Sequence, residues 1–350
     1  MKLHIFGFST IQIYGFYSKS SIFAFLIQVN GMLIQILLLL VGLTLVVVGA
    51  DYLVDGASSI ARKFGISEFV IGLTIVGMGT SAPEMVVSFI GAFQGNSDIS
   101  IGNVLGSNIF NTLLILGVTA LLLPINITAD NRKKDIPMNI FITVLLILLG
   151  LKHSLFHLGT QDGLSRMDGA FLLILFIGYM ILSFSQKQEE APKEENAKPI
   201  RPWLAALMIL GGLAALVFGG RLFVNSATFI AQSLGISDKF IAITILAGGT
   251  SMPELATCVA AAIKKKGQLA LGNIIGSNVF NILLILGGSA LIHPLSFADI
   301  SFVDLGVLLI SSLVLLSSCF VGKRNQLDRL DGSLFVLLWM AYMAWLIVNL

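Results

Sequence analysis

Residues 77–84 read Gly77-Met-Gly-Thr-Ser-Ala-Pro-Glu84 and lie in the middle of an otherwise apolar segment. Two glycines, a proline and a carboxylate interrupt a stretch that would otherwise form a membrane helix. A near copy, Ala247-Gly-Gly-Thr-Ser-Met-Pro-Glu254, appears 170 positions later. We interpret the rest of the chain as a scaffold that brings these two segments together inside a bilayer.

The composition defines the class of protein. The chain has 350 residues, of which 56% are hydrophobic and 11% charged, and its mean hydropathy is +0.94. Soluble domains carry about 25% charged residues, so these charges are too few to cover a water-soluble protein of this length. Apolar runs of about 20 residues recur, the length that crosses hydrocarbon as a helix. Membrane-spanning strands would instead alternate in short segments. We therefore predict an all-α polytopic membrane protein.

Several other classes are excluded or disfavoured. The net charge of +2 and the lack of a basic or aromatic cluster argue against a nucleic-acid partner. Cys258 and Cys319 both lie inside predicted spans, so the sequence offers neither a disulfide framework nor a Cys-x-x-Cys metal site. No cofactor and no obligate protein partner are evident. The expected partners are the lipid bilayer and small inorganic cations.

Ten spans are predicted, and they divide the chain into two halves. The spans cover roughly 33–54, 68–93, 99–123, 136–151, 169–185, 203–224, 238–263, 268–292, 301–321 and 332–349. The resulting domains are an N-terminal extension of uncertain status over 1–31, a first five-helix repeat over 32–185, a polar linker over 186–202 and a second five-helix repeat over 203–350. Because Met32 directly precedes the first strong span, translation could also begin there.

The positive charges predict an orientation. If the first strong span starts outside, the cytoplasmic connectors hold 15 of the 21 Lys and Arg residues. Cytoplasmic loops carry such an excess. We expect a multi-pass protein of the cell membrane (inner or plasma membrane), with both ends of the ten-span core outside and the linker 186–202 in the cytoplasm.

The two halves repeat each other in sequence. Twelve residues of the first half recur 170 positions later; they are Thr80, Ser81, Pro83, Glu84, Gly102, Asn103, Gly106, Ser107, Asn108, Phe110, Asn111 and Gly117. Five spans per half is an odd number, so the second half must enter the membrane from the opposite side. The sequence therefore predicts an inverted-topology repeat, which is found in many secondary transporters.

The repeated motif predicts a broken helix at mid-membrane. Pro83 has no N–H, so the carbonyl four residues back loses its helical partner, and Gly77 and Gly79 weaken the same turn. Glu84 follows directly, and an ionised carboxylate near the bilayer centre costs roughly 3 kcal/mol. The central parts of the spans contain no Lys or Arg to compensate for it or for Glu254. A bound cation or protons must do so, and the oxygen ligands favour Ca²⁺, Mg²⁺ or Na⁺.

A structural interpretation of the motif is also available. Ser81-Ala-Pro-Glu84 fits a capping box, in which the serine side chain caps the helix that follows. A capping box does not by itself require a glutamate in the middle of the bilayer. We therefore expect the cation site and the cap to coexist.

The span after each motif supplies a second polar wall. Its residues at i, i+4 and i+8 share one helix face. They are Asn103, Ser107 and Asn111 in the first half and Asn273, Ser277 and Asn281 in the second. For Asn103, Asn108, Asn273 and Asn278, hydrogen bonding between helices is an equally good explanation. Asp51 and Asp55, at the end of the first strong span, are interpreted mainly as boundary or packing residues.

These motifs resemble the cation/Ca²⁺ exchanger superfamily, specifically prokaryotic Na⁺/Ca²⁺ exchangers. The resemblance covers Gly72–Gly117, Ala242–Gly287 and the ten-span plan around them. It implies a central Ca²⁺ site made by the carboxylates of Glu84 and Glu254. The further ligands it implies are the carbonyls of Thr80 and Thr250 for Ca²⁺; Ser81, Ser107, Ser251, Ser277 and the carbonyls of Gly77 and Ala247 for Na⁺; and Asn111 and Asn281 at the centre.

Two departures from the family pattern matter. Some relatives, including K⁺-dependent exchangers, carry Asp at the position of Asn281, so the asparagine argues modestly against K⁺ coupling. Animal exchangers insert a large regulatory domain where this chain has only the linker 186–202, so Ca²⁺ regulation of that type is not expected.

The resulting hypothesis is a secondary active antiporter, not an enzyme, that exchanges Na⁺ for Ca²⁺. The first spans of the two halves, 33–54 and 203–224, are expected to slide and so alternate access to the site. Ca²⁺/H⁺ exchange at the same site is the main alternative, and a passive cation channel is an alternative from another class. An intramembrane hydrolase would need a nucleophile–base pair or a metal-ligating His, and no His accompanies either glutamate.

Overall fold

The computed structural model describes residues 9–158, 161–185, 200–235, 247–298, 300–320 and 325–349, with side chains from residue 32 onward except those of Ser185 and Ala247. Residues 186–199 of the predicted linker and residues 238–246 of the predicted seventh span lie outside these ranges. The described chain is nearly all helical. Six of its helices are long and apolar enough to cross a membrane, or seven if one bent pair counts as a span.

The helices in chain order are α1 Ser9–Phe64, α2 Glu68–Thr80, α3 Ala82–Phe93, α4 Ser97–Leu122, α5 Ile136–Gly150, α6 Lys152–Phe156, α7 Arg166–Ser185, α8 Pro202–Ser233, α9 Ala247–Gly249, α10 Met252–Ile263, α11 Gly267–Ile292, α12 Phe302–Ser318 and α13 Arg329–Asn349. Four short strands are β1 Ile125–Asn126, β2 Gly163–Leu164, β3 Leu295–Ser296 and β4 Gln326–Leu327. Segments of π-helix occupy Gly72–Val76 in α2, Phe110–Ile115 in α4 and Asn281–Leu286 in α11, and another, Asn131–Asp135, leads into α5.

The predicted break in the first motif is present. The helix stops at Thr80 and resumes at Ala82, and the two parts are bent by 48°. Ser81 occupies the break with φ −79° and ψ 7°. In the second half, a matching break separates α9 from α10, with Ser251 directly before Met252. The glycines and the proline thus break the helix as their backbone preferences predict.

Helices α1 and α8 are longer than their predicted spans. The predictions end at residues 54 and 224, whereas the helices end at Phe64 and Ser233. The segment Met32–Phe64 alone has 33 residues, about 50 Å at 1.5 Å per residue, against a hydrocarbon core of about 30 Å. Polar residues such as Asp51 and Asp55 lowered the local hydropathy without ending the helix. Both aspartates instead pair with Lys264, at 3.1 and 2.8 Å.

Helices α1 and α8 pack antiparallel along a line of small residues. Gly42, Gly49 and Gly56 recur every seventh position on α1, and they face Gly219, Gly212 and Ala205 of α8. A Cβ built on Gly49 would lie 2.8 Å from the carbonyl oxygen of Gly212. Small residues at helix interfaces let two backbones approach closely in a membrane. The contact between these helices is therefore made largely by main chain.

Burial distinguishes the centre of the molecule from its periphery. In the most apolar 18-residue stretch of α11, 94% of the residues are buried. In the corresponding stretch of α1, 17% of the residues are buried. Helix α11 packs against α2, α10 and α7, and a Cβ on its Gly272 would lie 2.1 Å from the carbonyl oxygen of Phe69 in α2. The two polar motifs therefore meet at the most enclosed part of the described chain.

Two short strand pairs join the halves of the sequence. Strand β1 pairs antiparallel with β4, and β2 pairs antiparallel with β3. Each pair takes one strand from residues 32–185 and one from 203–350. Because β1 precedes α5 in the chain and β2 follows it, the two pairs lie at opposite ends of that helix.

Substitution of Gly212 tests the close contact between α1 and α8. We expect Gly212→Leu to force the helices apart and to destabilise the protein by about 1–3 kcal/mol, the usual cost of overpacking. The adjacent Gly211 is the matched control, because a Cβ there meets no described atom within 4 Å. Thermal unfolding in detergent should show a lower midpoint for Gly212→Leu and little change for Gly211→Leu. Equal midpoints would contradict the described interface.

Candidate functional site

The two breaks place both glutamates in one buried cluster. Glu84 lies in the first turn of α3, Glu254 lies in the first turn of α10, and each residue is 1% exposed. No ion pair joins either glutamate to a Lys or Arg in the described part of the chain. The polar atoms around them come from both halves of the sequence, so the cluster lies where the two motifs face each other.

Serines from both halves hold one oxygen of each carboxylate. Ser251 Oγ donates to Glu84 Oε1 at 3.1 Å, and Ser81 Oγ donates to Glu254 Oε1 at 3.0 Å. Each of these hydrogen bonds crosses from one motif to the other. The next spans add a longer contact to the same oxygens, from Ser107 to Glu84 at 3.5 Å and from Ser277 to Glu254 at 3.4 Å. The arrangement is the same around both glutamates.

The capping-box prediction is wrong at the side-chain level. Ser81 does occupy the N-cap of α3, and Ser251 the N-cap of α10, but neither side chain caps its helix. Both hydroxyls instead donate across the cluster to the opposite glutamate. A hydrogen bond to a carboxylate is stronger than one between neutral groups. The carboxyl group of the opposite motif therefore takes the place of the local cap.

Two asparagines contribute further oxygens. Asn111 lies at 1% exposure in α4, and Asn281 at 0% exposure in α11. Their Nδ2 groups donate to Asn278 Oδ1 at 3.2 Å and to Asn108 Oδ1 at 2.9 Å, respectively. Their own Oδ1 atoms have no hydrogen-bond partner in the described structure. The amide oxygens are therefore left available while the amide nitrogens are bound.

Four unpartnered oxygens characterise the site. They are Glu84 Oε2, Glu254 Oε2, Asn111 Oδ1 and Asn281 Oδ1, all buried. Buried polar atoms normally have a partner, because leaving one without a hydrogen bond costs about 1–3 kcal/mol. Four carboxylate and amide oxygens fit a hard cation such as Ca²⁺ or Na⁺ better than a soft metal. The residues present thus suit a cation as transported substrate.

The remaining candidate ligands lie in or beside the cluster. The Gly77 carbonyl accepts from Ser277 Oγ at 3.3 Å, and Thr80 is fully buried at the end of α2. Thr250 occupies the corresponding turn after α9, and the backbone of Ala247 begins that helix. The structure therefore brings the twelve sequence-predicted positions to the two breaks and the helices beside them. It does not bring Asp51 or Asp55 there, since both pair with Lys264.

Asn103 and Asn273 serve interhelical hydrogen bonding. Asn103 Nδ2 donates to the Glu84 carbonyl at 3.1 Å and to Ser88 Oγ at 3.0 Å. Asn273 Oδ1 accepts from Thr80 Oγ1 at 3.1 Å, and its Nδ2 donates to Cys258 Sγ at 3.3 Å. These bonds join each broken helix to the span that packs against it.

A cavity adjoins the cluster on the α4 side. Its volume is about 610 Å³, and its walls include Asn103 and Ser107 of α4, Phe223 of α8 and Trp339 of α13. Most of the lining is apolar.

The described helices and the buried oxygen cluster are those of a multi-pass membrane protein suited to binding cations. Comparison with known proteins gives the family. The family model described as "Sodium/calcium exchanger protein" matches residues 34–185 and 204–348. The chain therefore belongs to the sodium/calcium exchanger family, whose members are antiporters of small cations and not a class of enzymes.

Curated relatives agree with this assignment. The chain is 40% identical over 296 residues to the putative antiporter CaxA of Alkalimonas amylolytica, covering 82% of this chain and 90% of the relative. It is 37% identical to the sodium/calcium exchanger MaX1 of Methanosarcina acetivorans, covering 83% and 91%. It is 35% identical to the inner membrane protein YrbG of Escherichia coli, covering 83% and 90%.

The fold also matches a solved exchanger structure. The sodium-calcium exchanger NCX_Mj, soaked with 10 mM Na⁺ and zero Ca²⁺, superposes with a TM-score of 0.78 at 34% identity. The match covers 89% of this chain and 99% of that one. The prediction of a cation/Ca²⁺ antiporter of the membrane is confirmed at this level, since the family transports Ca²⁺ and Na⁺.

A double-mutant cycle tests the hydrogen bond between Ser251 and Glu84. We expect the free energies of unfolding of Ser251→Ala and Glu84→Ala to be non-additive by about 1 kcal/mol or more, because each substitution removes one partner of the same bond. Unfolding in graded detergent mixtures supplies the measurement. The control cycle pairs Ser251 with Glu254, which share no side-chain hydrogen bond in the described structure. Additivity within about 0.5 kcal/mol in both cycles would argue against the bond.

Proposed function

We propose that this protein exchanges Na⁺ for Ca²⁺ by alternating access, with Ca²⁺ bound between Glu84 and Glu254. The observation that carries the proposal is the set of four buried, unpartnered oxygens on these glutamates and on Asn111 and Asn281. One Ca²⁺ ion would balance the two carboxylates and supply the contacts that all four atoms lack. The main-chain carbonyls of Thr80 and Thr250 complete the proposed coordination.

The proposed Na⁺ sites flank the central one. A serine hydroxyl that donates its proton to a carboxylate still has lone pairs on its oxygen. Ser81, Ser107, Ser251 and Ser277 are all in this situation. With the carbonyls of Gly77 and Ala247, these oxygens can receive Na⁺ as Ca²⁺ leaves. Na⁺ and Ca²⁺ thus compete for the same two glutamates.

Competition at shared carboxylates accounts for obligatory exchange. An empty site would carry two uncompensated charges at the depth where each costs roughly 3 kcal/mol or more. A site occupied by Ca²⁺ or by Na⁺ is compensated and can change its accessibility. Return of the empty site is therefore slow, and the protein exchanges ions without a leak.

We further propose that the core consists of ten spans arranged as two inverted repeats, residues 32–185 and 203–350. The 170-residue sequence repeat supports this arrangement, as do the matching breaks at Ser81 and Ser251. The reciprocal hydrogen bonds between serines and glutamates fit a two-fold relation between the halves. The charge distribution supports core termini outside and a cytoplasmic linker over 186–202. In that orientation the 610 Å³ cavity beside Trp339 lies toward the outer half of the membrane.

The packing of α1 on α8 supports a sliding motion. Their contact is made largely by main chain at glycines, without interlocking side chains at those positions. The expectation that the first spans 33–54 and 203–224 move is revised in one respect, because the helices that contain them are longer, with 56 and 32 residues. We propose that this long antiparallel pair shifts along its own axis and exposes the cluster to each side in turn.

Flux measurements test the assignment of the glutamates. In proteoliposomes, an outward-directed Na⁺ gradient should drive ⁴⁵Ca²⁺ uptake, and Glu84→Gln or Glu254→Gln should abolish it, because either change removes a ligand and a charge. Glu68→Gln is the matched control, since Glu68 begins α2 and pairs with Lys266 at 2.7 Å, away from the centre. Uptake that survives in either central variant would overturn the residue assignment.

The counter-ion is tested by replacing one gradient with the other. Ca²⁺/H⁺ exchange is the main alternative, since a glutamate carries a proton as readily as it binds Na⁺. We expect a Na⁺ gradient at uniform pH to drive Ca²⁺ uptake and a pH gradient without Na⁺ to drive none. The reverse result would establish proton coupling. Uptake that needs neither counter-ion would instead identify a passive channel.

A further inference from the structure

A network of amides surrounds the two asparagines of the cluster. Asn108 precedes Asn111 by three residues on α4, and Asn278 precedes Asn281 by three residues on α11. Asn108 Oδ1 accepts from Asn281 Nδ2, and Asn278 Oδ1 accepts from Asn111 Nδ2. Each pair therefore connects α4 to α11, and each amide nitrogen of the cluster is bound by an oxygen of the opposite helix.

This crossing determines which atom faces the site. If the Asn111 amide rotated by half a turn, its oxygen would face Asn278 Oδ1, and two acceptors would meet without a proton between them. The same holds for Asn281 and Asn108. All four asparagines are at most 2% exposed, so water does not offer a substitute donor. The network thus directs the Oδ1 atoms of Asn111 and Asn281 away from their amide partners.

The network is anchored differently at its two ends. Asn108 Nδ2 donates to the main-chain oxygen of Asn278 at 3.2 Å. Asn278 Nδ2 donates to the side chain of Thr112 at 2.9 Å. The position that corresponds to Thr112 in the second half is Ile282, which has no hydroxyl. One side of the network therefore depends on a single buried hydroxyl, with Thr112 at 1% exposure.

We propose that Thr112, through Asn278, is a positioning residue that orients the Asn111 amide oxygen toward the transported cation. Asn108 performs the same task for Asn281 through the main chain of α11. None of the three touches the cation; each acts by holding the amide of another residue. This inference rests on the proposed cation site and assigns roles to residues outside its ligand set.

The variant Thr112→Val should change the affinity for Ca²⁺ without changing the packing of the helices. Thr112→Val replaces the hydroxyl by a methyl group of similar size, so the packing of α4 is kept while Asn278 Nδ2 loses its acceptor. Asn278 is then free to rotate, and Asn111 loses a defined partner. We expect the apparent KM for Ca²⁺ to rise about tenfold, the factor that corresponds to about 1.4 kcal/mol, or one net hydrogen bond. The kcat should change little.

Two further variants serve as controls. Thr112→Ser keeps the hydroxyl and should restore the apparent KM to within about twofold of the parent protein. Ile282→Val removes a methylene group at the corresponding position of α11, where Ile282 is fully buried. We expect it to lower the thermal midpoint without raising KM. The set therefore separates loss of orientation from loss of packing.

The experiment is Na⁺-dependent ⁴⁵Ca²⁺ uptake in proteoliposomes over a range of Ca²⁺ concentrations, with thermal unfolding of each variant with and without Ca²⁺. A higher KM in Thr112→Val that is restored in Thr112→Ser supports the proposal. Equal KM values in Thr112→Val and the parent protein overturn it and leave the proposed function intact. If the parent protein shows no exchange, the proposed function fails. In that case the shift of the thermal midpoint on Ca²⁺ binding still tests the role of Thr112. A smaller shift in Thr112→Val but not in Thr112→Ser supports the role. An unchanged shift in both variants contradicts it.

Discussion

The structure depends on two buried carboxylates that serine hydroxyls join into one cluster. Glu84 and Glu254 are buried, and they lie in the parts of the chain that the sequence assigns to the membrane interior. Two like charges at that depth need a compensating partner, and the described residues provide hydroxyls and amides but no cationic side chain. The surrounding polar residues can therefore be understood as a preformed oxygen environment that needs a mobile positive charge. The helix breaks, the serines and the asparagines all place oxygen atoms around the point where that positive charge is needed.

Each element near the centre contributes one polar function. The breaks end α2 and begin α3 so that Glu84 lies in a first helical turn, and the second motif does the same for Glu254. Serines satisfy one oxygen of each carboxylate, and the amide network leaves one oxygen of each asparagine free. The remaining helices supply apolar packing around this centre. The polar residues of the candidate site thus lie at the centre of the molecule, and the apolar residues that support them lie around it.

Sequence reasoning succeeded where the signal was local. The break near Ser81 follows from Gly77, Gly79 and Pro83, because backbone preferences act over a single turn. It failed where the partner is distant in the chain. The hydroxyl of Ser81 bonds Glu254, 173 residues away, so local capping rules could not reveal it. The sequence leaves the roles of Asn108 and Asn278 open for the same reason, and hydropathy does not reveal that α1 continues beyond its apolar part.

The strand pairs β1–β4 and β2–β3 have a consequence for how the chain is held together. They join the two sequence halves at both ends of α5, while α4 and α11 share buried hydrogen bonds between them. The two halves are therefore joined by direct contacts as well as by the linker between them. A peptide bond cut between residues 186 and 202 would leave these cross-connections in place. The two parts of the chain would then stay associated through these strand pairs and buried hydrogen bonds, without the covalent link between them.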